Sequence, residues 1–320
     1  LIRLIREPIL VSGTTVIPTC SIGIAVASDG DDVEAVLRHA DAALYDAKAK
    51  GRDRYEFFDD AHRQSLTVRL RLETALRRGV ARAEFVPRFQ PEYDLLTGEM
   101  VGVEALVRWN HPTEGVVDAW RFIDTAEEIG LAPELSRVVM ARSLETVRGW
   151  MAEGFDTRVR VNVAAGQLQS ADLADQVEAL LEKYQVPPEL LCVEITERSL
   201  MLDLDSAVEA LVAVRALGVE VAVDDFGTGF SSLARLKHLP VDTLKIDRSF
   251  VSGIVSSATD REIVRTIIWL SRGLGLDVVA EGVEHPEQVE LLLELGCRRA
   301  QGWLWTPAVP AAEVPRLARV

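Results

Sequence analysis

The chain has 320 residues, 48% of them hydrophobic, with 50 acidic side chains against 35 basic ones and a net charge of −15. That balance argues against a hold on long nucleic acid, which depends on clustered Lys and Arg, but leaves room for a small phosphorylated ligand held through metal ions. No apolar run approaches the roughly 20 residues of a membrane span, no signal peptide precedes the first strand pattern, and Cys20, Cys192 and Cys297 lie too far apart for a paired metal motif.

A reducing, cytoplasmic setting follows from that cysteine usage. The chain begins at Leu1 without Met and reads as a piece of a longer protein, whose membrane tether, if it has one, lies upstream. Residues 1–58 read as the C-terminal part of a small α/β domain. Thr19 to Val26 is strand-like, Asp29-Gly30-Asp31-Asp32 is a turn with helix-start acids, and Val33 to Lys50 has a helical apolar pattern that Gly51 stops. Lys48, Lys50 and Arg52 suit the C-terminal end of that helix dipole, and Asp41, Lys48 and Arg52 are given structural roles. Residues 59–81 predict a connecting helix with Leu66, Leu70, Glu73 and Leu76 along one side.

Over 82–320 strand and helix patterns alternate. Strands are expected near 101–108, 158–164, 191–197, 219–225, 243–248, 277–282 and 298–304, with amphipathic runs at 120–130, 134–153, 171–184, 205–217, 258–274 and 286–295. This alternation predicts a parallel sheet closed into a TIM-like (β/α) barrel. The alternative, an open doubly wound sheet, finds no GxGxxG fingerprint after any strand.

The C-terminal strand ends carry one polar set: Glu104, Asn162, Glu194, the pair Asp224-Asp225, Lys245 with Asp247, Glu281 and Gln301. Arg108 lies four residues after Glu104, on the same strand face. Each has a plain alternative: the Asp pair as a helix cap, Lys245 as the partner of Asp247, Asn162 as a turn former. In a barrel these ends converge on one mouth, where active sites of this architecture are built. Converging carboxylates repel and raise one another's pKa unless cations bind among them. An all-oxygen donor set favours Mg²⁺ or Mn²⁺ over zinc. Glu127, Glu128 and Glu284 read as capping or solvated acids.

The segments Glu104-Ala105-Leu106, Arg108-Trp109, Asn110-His111-Pro112, Phe122-Ile123, Glu194-Ile195-Thr196-Glu197, Asp224 to Leu233, Lys245-Ile246-Asp247, Ala280 to Glu284 and Gln301-Gly302 resemble an EAL domain, the cyclic di-guanylate phosphodiesterase family. Ser21 to Ala25 and Ala40 to Arg52 resemble the C-terminal end of a GGDEF (diguanylate cyclase) domain. The acidic hairpin that names that second family is not in the chain, so nucleotide cyclisation is not assigned to it.

The first resemblance implies hydrolysis of cyclic di-guanylate to linear pGpG with two Mg²⁺ or Mn²⁺ ions; Ca²⁺, with its longer bonds and looser shell, is expected to occupy the site and inhibit. It implies Glu104, Asn162, Glu194 and Asp224 as ligands of one metal, Asp225 as a bridging ligand of the second, and Glu281 as a second-metal ligand or the base. Lys245 resembles the residue that holds the nucleophilic water, and Gln90 and Arg108 resemble substrate contacts. Gln301 is expected at the substrate or ordering water, Glu197 as the anchor of the loop after Asp224-Asp225, and Asp247 as a supporting group. A homodimer through the barrel domain is also implied. Gly166, Ala119, Phe230 and Trp303-Leu304-Trp305 depart from the usual pattern and bear on loop packing and the guanine pocket. The competing expectation is an inactive cyclic di-guanylate receptor, although such members usually lose an acid or the lysine, and all are present here. An unrelated barrel enzyme acting on a sugar phosphate is the third.

Overall fold

The computed structural model describes residues 5, 9–11, 14–16, 18–27, 32–58, 60–170, 172–228, 236–237 and 239–318, with the backbone alone over 9–11, 14–15 and 60–70. The contacts divide the chain into two compact units, Leu1–Leu72 and Glu73–Val320.

In the first unit β1 (Ile9–Val11) and β2 (Thr14–Val16) form an antiparallel pair. Strands β3 (Ile22–Ile24) and β4 (Tyr55–Phe57) pair in parallel, joined through the helix Val33–Ala49. Asp32 caps that helix by accepting from the Glu34 amide at 3.4 Å. Gly23 lets helix and strand touch, because a Cβ there would stand 2.0 Å from the Ala40 carbonyl oxygen. The expected strand and helix are both present, whereas Asp29, Gly30 and Asp31 of the expected turn lie outside the described residues.

The helix Asp60–Ala81 begins in one unit and ends in the other. Of its expected apolar side, Leu66 and Leu70 lie outside the described side chains, and Leu76 is fully buried.

The second unit is a closed barrel. Its strands are β5 (Phe85–Asp94), β6 (Met100–His111), β8 (Val159–Asn162), β9 (Leu191–Thr196), β10 (Glu220–Phe226), β11 (Thr243–Ile246), β12 (Asp277–Ala280) and β13 (Arg299–Gln301), while β7 (Gly115–Asp118) is a hairpin partner of β6 outside the ring. The ring runs β5-β13-β12-β11-β10-β9-β8-β6 and closes through β5 and β6. Every neighbouring pair from β6 round to β13 is parallel, and β5 is antiparallel to both its neighbours. All seven expected strands are there, and the barrel is the architecture the alternation implied.

The eighth strand, β5, is absent from that reading. Pro87 and Pro91 demote such a run in sequence, because proline donates no ladder bond. In the barrel the Phe89 amide donates to the Val309 carbonyl at 2.8 Å and its carbonyl accepts from Val309 at 2.9 Å, so Phe89 faces away from β6. Residues on an antiparallel strand alternate in the side to which they bond. Pro87 and Pro91 share the parity of Phe89, and their missing amides therefore fall where no β6 carbonyl waits.

Strand alternation sorts the second unit's core. Val159, Val161, Val193 and Ile195 turn outward into one buried apolar cluster with Val139, Leu144 and Val177 of the surrounding helices. The residues between them, Arg160, Asn162, Cys192 and Glu194, turn into the barrel. At the barrel mouth, Val283 donates to the Gln301 carbonyl at 3.1 Å and accepts from Leu304 at 2.9 Å. A Cβ on Gly302 would stand 2.0 Å from the Val283 carbonyl oxygen. The variant Gly302→Ala is expected to lose about 1–3 kcal/mol of stability through overpacking, read as a lower midpoint in urea unfolding; an unchanged midpoint would show that the loop yields freely.

Candidate active site

The barrel brings the sequence-predicted acids to one place. Lys245 on β11 is fully buried, and its Nζ stands 3.0 Å from Glu104 Oε2, 3.0 Å from Glu194 Oε2, 3.5 Å from Asp224 Oδ1 and 2.6 Å from Glu281 Oε1. Four carboxylates, from β6, β9, β10 and the residue after β12, thus surround one ammonium. Asn162 Nδ2 donates to Glu104 Oε1 at 2.9 Å, and Gln301 Nε2 donates to Glu104 Oε2 at 2.6 Å and to Glu281 Oε1 at 3.0 Å. Lys245 therefore pairs with the site acids rather than with Asp247. Asp247 instead caps the helix Arg248–Gly253, accepting from the Ser249 amide at 3.1 Å.

Adjacent residues on a regular strand point to opposite faces, so two neighbouring aspartates cannot both enter one site unless the strand is deformed. The β10–β11 register shifts between Val223 and Phe226, and Asp225 has φ +54°, in the left-handed region that Asp tolerates better than most residues. The bulge turns Asp225 to the same side as Asp224. Oxygens of Asp224, Asp225 and Glu281 lie within 4.8 Å of one another, as do those of Glu104, Glu194 and Asp224. Asp224 belongs to both groups. Glu197, at the start of the helix after β9, accepts from the Gly227 amide at 3.0 Å and so ties the backbone leaving this bulge. Residues 229–235, with Phe230, lie outside the described residues.

Burial and crowding set the protonation chemistry. The surrounding carboxylates hold the Lys245 ammonium well above its ordinary pKa despite burial. Burial pushes Glu194 and Glu281 well above the carboxylate range, with Lys245 opposing and neighbouring acids adding. Asp224 is raised for the same reasons. Asp225 is pushed up to about 6 by burial, then by the charges of Asp224 and Asp247. Glu104 alone is lowered, since Lys245 and the donors Gln301 and Asn162 outweigh its burial. Lys245 supplies one positive charge to four acids.

The donor set fits hard divalent cations. Every candidate ligand offers oxygen, and Glu194 Oε1 is buried without a hydrogen-bond partner. Thiol ligands are not at hand: Cys192 and Cys297 are free and buried, their pKa values pushed up to about 12 by burial. Beside the acids opens a cleft of about 320 Å³ lined by Gln90, Leu106, Arg248, Glu284, Gly302 and Trp303 together with Glu104, Asp224, Glu281 and Gln301. Arg108 is bound elsewhere, its Nε 2.8 Å from Asp118 Oδ1 on β7.

Sequence reading missed Arg160 and Glu92, buried together inside the barrel with Arg160 Nε 2.7 Å from Glu92 Oε2. The spacings Gln90-x-Glu92 and Arg160-x-Asn162 were the available signal, each putting a second polar group on the inner strand face. It also missed Arg248, which lines the cleft, and it set Glu284 aside as a capping acid.

Fold and site together define a (β/α) barrel protein with an oxygen-donor cluster at the C-terminal mouth of its parallel strands. The chain belongs to the EAL domain family, whose model matches residues 73–308; that of the diguanylate cyclase GGDEF domain matches 1–54. It is 39% identical over 321 residues to the cyclic di-GMP phosphodiesterase NbdA of Pseudomonas aeruginosa, covering 100% of this chain and 41% of that protein. The bifunctional diguanylate cyclase/cyclic di-GMP phosphodiesterase MucR of the same organism is 38% identical over 316 residues, covering 98% and 46%. The chain thus spans about half the length of the curated relatives it matches. Among solved structures, the PaMucR phosphodiesterase in complex with c-di-GMP aligns with a TM-score of 0.73 at 38% identity, covering 76% of this chain and 99% of that one. The EAL domain of Mycobacterium smegmatis DcpA aligns at 0.65 and 39%, covering 73% and 97%. Among the described residues no helix is long and apolar enough to cross a membrane.

Proposed function

We propose that residues 82–320, preceded by a GGDEF-like fragment (1–58) and a connecting helix (59–81), form a phosphodiesterase that hydrolyses cyclic di-guanylate to linear pGpG in the cytoplasm. The observation that carries this reading is the ring of Glu104, Glu194, Asp224 and Glu281 around Lys245, open to a cleft, in an EAL domain. Glu104, Asn162, Glu194 and Asp224 would hold one divalent ion, and Asp224, Asp225 and Glu281 a second. Such ions, Mg²⁺ or Mn²⁺, supply Lewis acidity to the phosphoryl oxygens and to the attacking water.

The chain's own groups do the rest. Lys245 Nζ, held by carboxylates on several sides, orients the nucleophilic water and steadies charge growing on the phosphoryl group. Glu281, which lines the cleft, accepts the proton that water gives up. Gln90 and Gln301, both lining the cleft, position the substrate; Arg108 would offer it charge only on leaving its ion pair with Asp118. Glu197 holds the bulge through Gly227, which keeps Asp224 and Asp225 aimed together. Asp247 supports the site by capping the helix Arg248–Gly253 that follows β11.

Incubation with cyclic di-guanylate and Mg²⁺ or Mn²⁺, followed by chromatography, is expected to yield pGpG. Ca²⁺ prefers longer bonds and a looser shell, so it is expected to occupy the site and inhibit. Loss of the general base in Glu281→Gln is expected to lower kcat by about 10²–10⁴-fold. Binding without product over hours would favour the receptor reading, and equal turnover with Ca²⁺ would contradict the two-ion site. A homodimer through the barrel is proposed as well; sedimentation velocity giving only monomer at micromolar concentration would remove it.

A further inference from the structure

Arg160 is the largest fully buried side chain of the barrel unit, and nothing in the proposed chemistry uses it. Strand β8 reads Val159-Arg160-Val161-Asn162, so Arg160 lies on the inner face one step below the ligand Asn162. In β9, Cys192 pairs in register with Arg160, and Glu194 with Asn162. The guanidinium is clamped by Glu92 of β5: Nε donates to Oε2 at 2.7 Å and Nη2 to Oε1 at 3.4 Å, while Nη1 donates to Cys192 Sγ at 3.2 Å. Its Nε also stands 3.9 Å from Glu194 Oε1, too far for a hydrogen bond. That oxygen is buried and has no hydrogen-bond partner, whereas Glu194 Oε2 accepts from Lys245 at 3.0 Å.

We propose that Arg160, held in place by Glu92, is a positioning residue that keeps Glu194 aimed at the divalent ion with Oε1 free to ligate it. This rests on the metal reading of the site given above. Three features carry it. The guanidinium stands 3.9 Å from Glu194 Oε1 and attracts the carboxylate at that oxygen, while Lys245 holds the other, Oε2, at 3.0 Å. Glu92 engages the donors that would otherwise bond Oε1 directly and compete with a metal for its lone pairs. The Glu92 charge, 2.7 Å from Arg160 Nε, would also offset much of the repulsion that a lone arginine would exert on a divalent cation held by Glu194.

The plain competitor is a core ion pair that only fills the barrel, and the two separate by experiment. A buried ion pair replaced by apolar residues of similar volume is often neutral or stabilising, so Glu92→Leu/Arg160→Met is the informative variant, removing both charges together. Isothermal calorimetry with Mn²⁺ alone, on metal-stripped protein, is the readout, with urea unfolding alongside. Loss of a partner that orients a metal ligand typically costs 10–100-fold in affinity. The double variant is expected to unfold at or above the parent midpoint yet bind Mn²⁺ about 10-fold more weakly, with kcat falling and KM for cyclic di-guanylate unchanged. Glu92→Gln, which weakens the clamp and lets Arg160 reach Oε1, is expected to weaken Mn²⁺ binding as well. Parent-like Mn²⁺ affinity in a stable double variant would overturn the inference. Absence of Mn²⁺ binding by the unaltered chain would instead sink the metal reading on which it stands.

Discussion

The imbalance of charge around Lys245 is the constraint from which the rest of the barrel mouth follows. Two like charges about 5 Å apart repel by roughly 3 kcal/mol at an effective dielectric near 20. Glu104, Glu194 and Asp224 approach one another within 4.8 Å, and Asp224, Asp225 and Glu281 do the same. One ammonium offsets part of this, and burial removes the water that would offset the remainder. Burial first, and the neighbouring acids after it, raise the pKa values of Glu194, Glu281 and Asp224 despite Lys245. In the proposed function divalent cations would offset the remaining repulsion, and the same cations would make the site reactive toward a phosphodiester.

The fold supplies the convergence and the strand defects supply the aim. Parallel strands deliver their C-terminal ends to one rim, but regular strands deliver only every second residue inward. The bulge at Asp224-Asp225 breaks that rule where two acids are needed at adjacent positions. Antiparallel β5 closes the ring and carries Gln90 and Glu92 on its inner face, one to the cleft and one to Arg160. Arg160, clamped by Glu92, then gives the barrel interior a second cation near Glu194 Oε1, while Lys245 meets Oε2.

Much of this was legible in the sequence because the barrel is written as repeated strand–helix units. Each parallel strand announces itself as a short apolar run, and each proposed ligand sits at its end. Strand β5 was not legible, since Pro87 and Pro91 argue against a strand unless the side to which each residue bonds is known, and that is a tertiary fact. Arg160 was not legible either. An arginine between valines looks like a solvent-facing residue of an alternating strand until the partner that neutralises it, 68 residues away in sequence, is placed beside it. The bulge was hidden for a related reason: Asp-Asp-Phe-Gly describes a helix cap equally well, and only the register with β11 decides between them. The charge count around Lys245 could be written down from the strand ends, but the pairing of Lys245 with four acids rather than with Asp247 required the barrel to be closed.

Unfolding of metal-stripped protein, followed as Mn²⁺ is added back, tests most directly whether these carboxylates need divalent cations. Ligands that bind only the folded state stabilise it by about 2.7 kcal/mol at a hundred times their Kd. The account predicts a midpoint that climbs steadily with Mn²⁺ and climbs further in Lys245→Met, where the acids have lost their ammonium. A midpoint indifferent to Mn²⁺ in both proteins would mean that the acids share protons instead, and the account would be wrong.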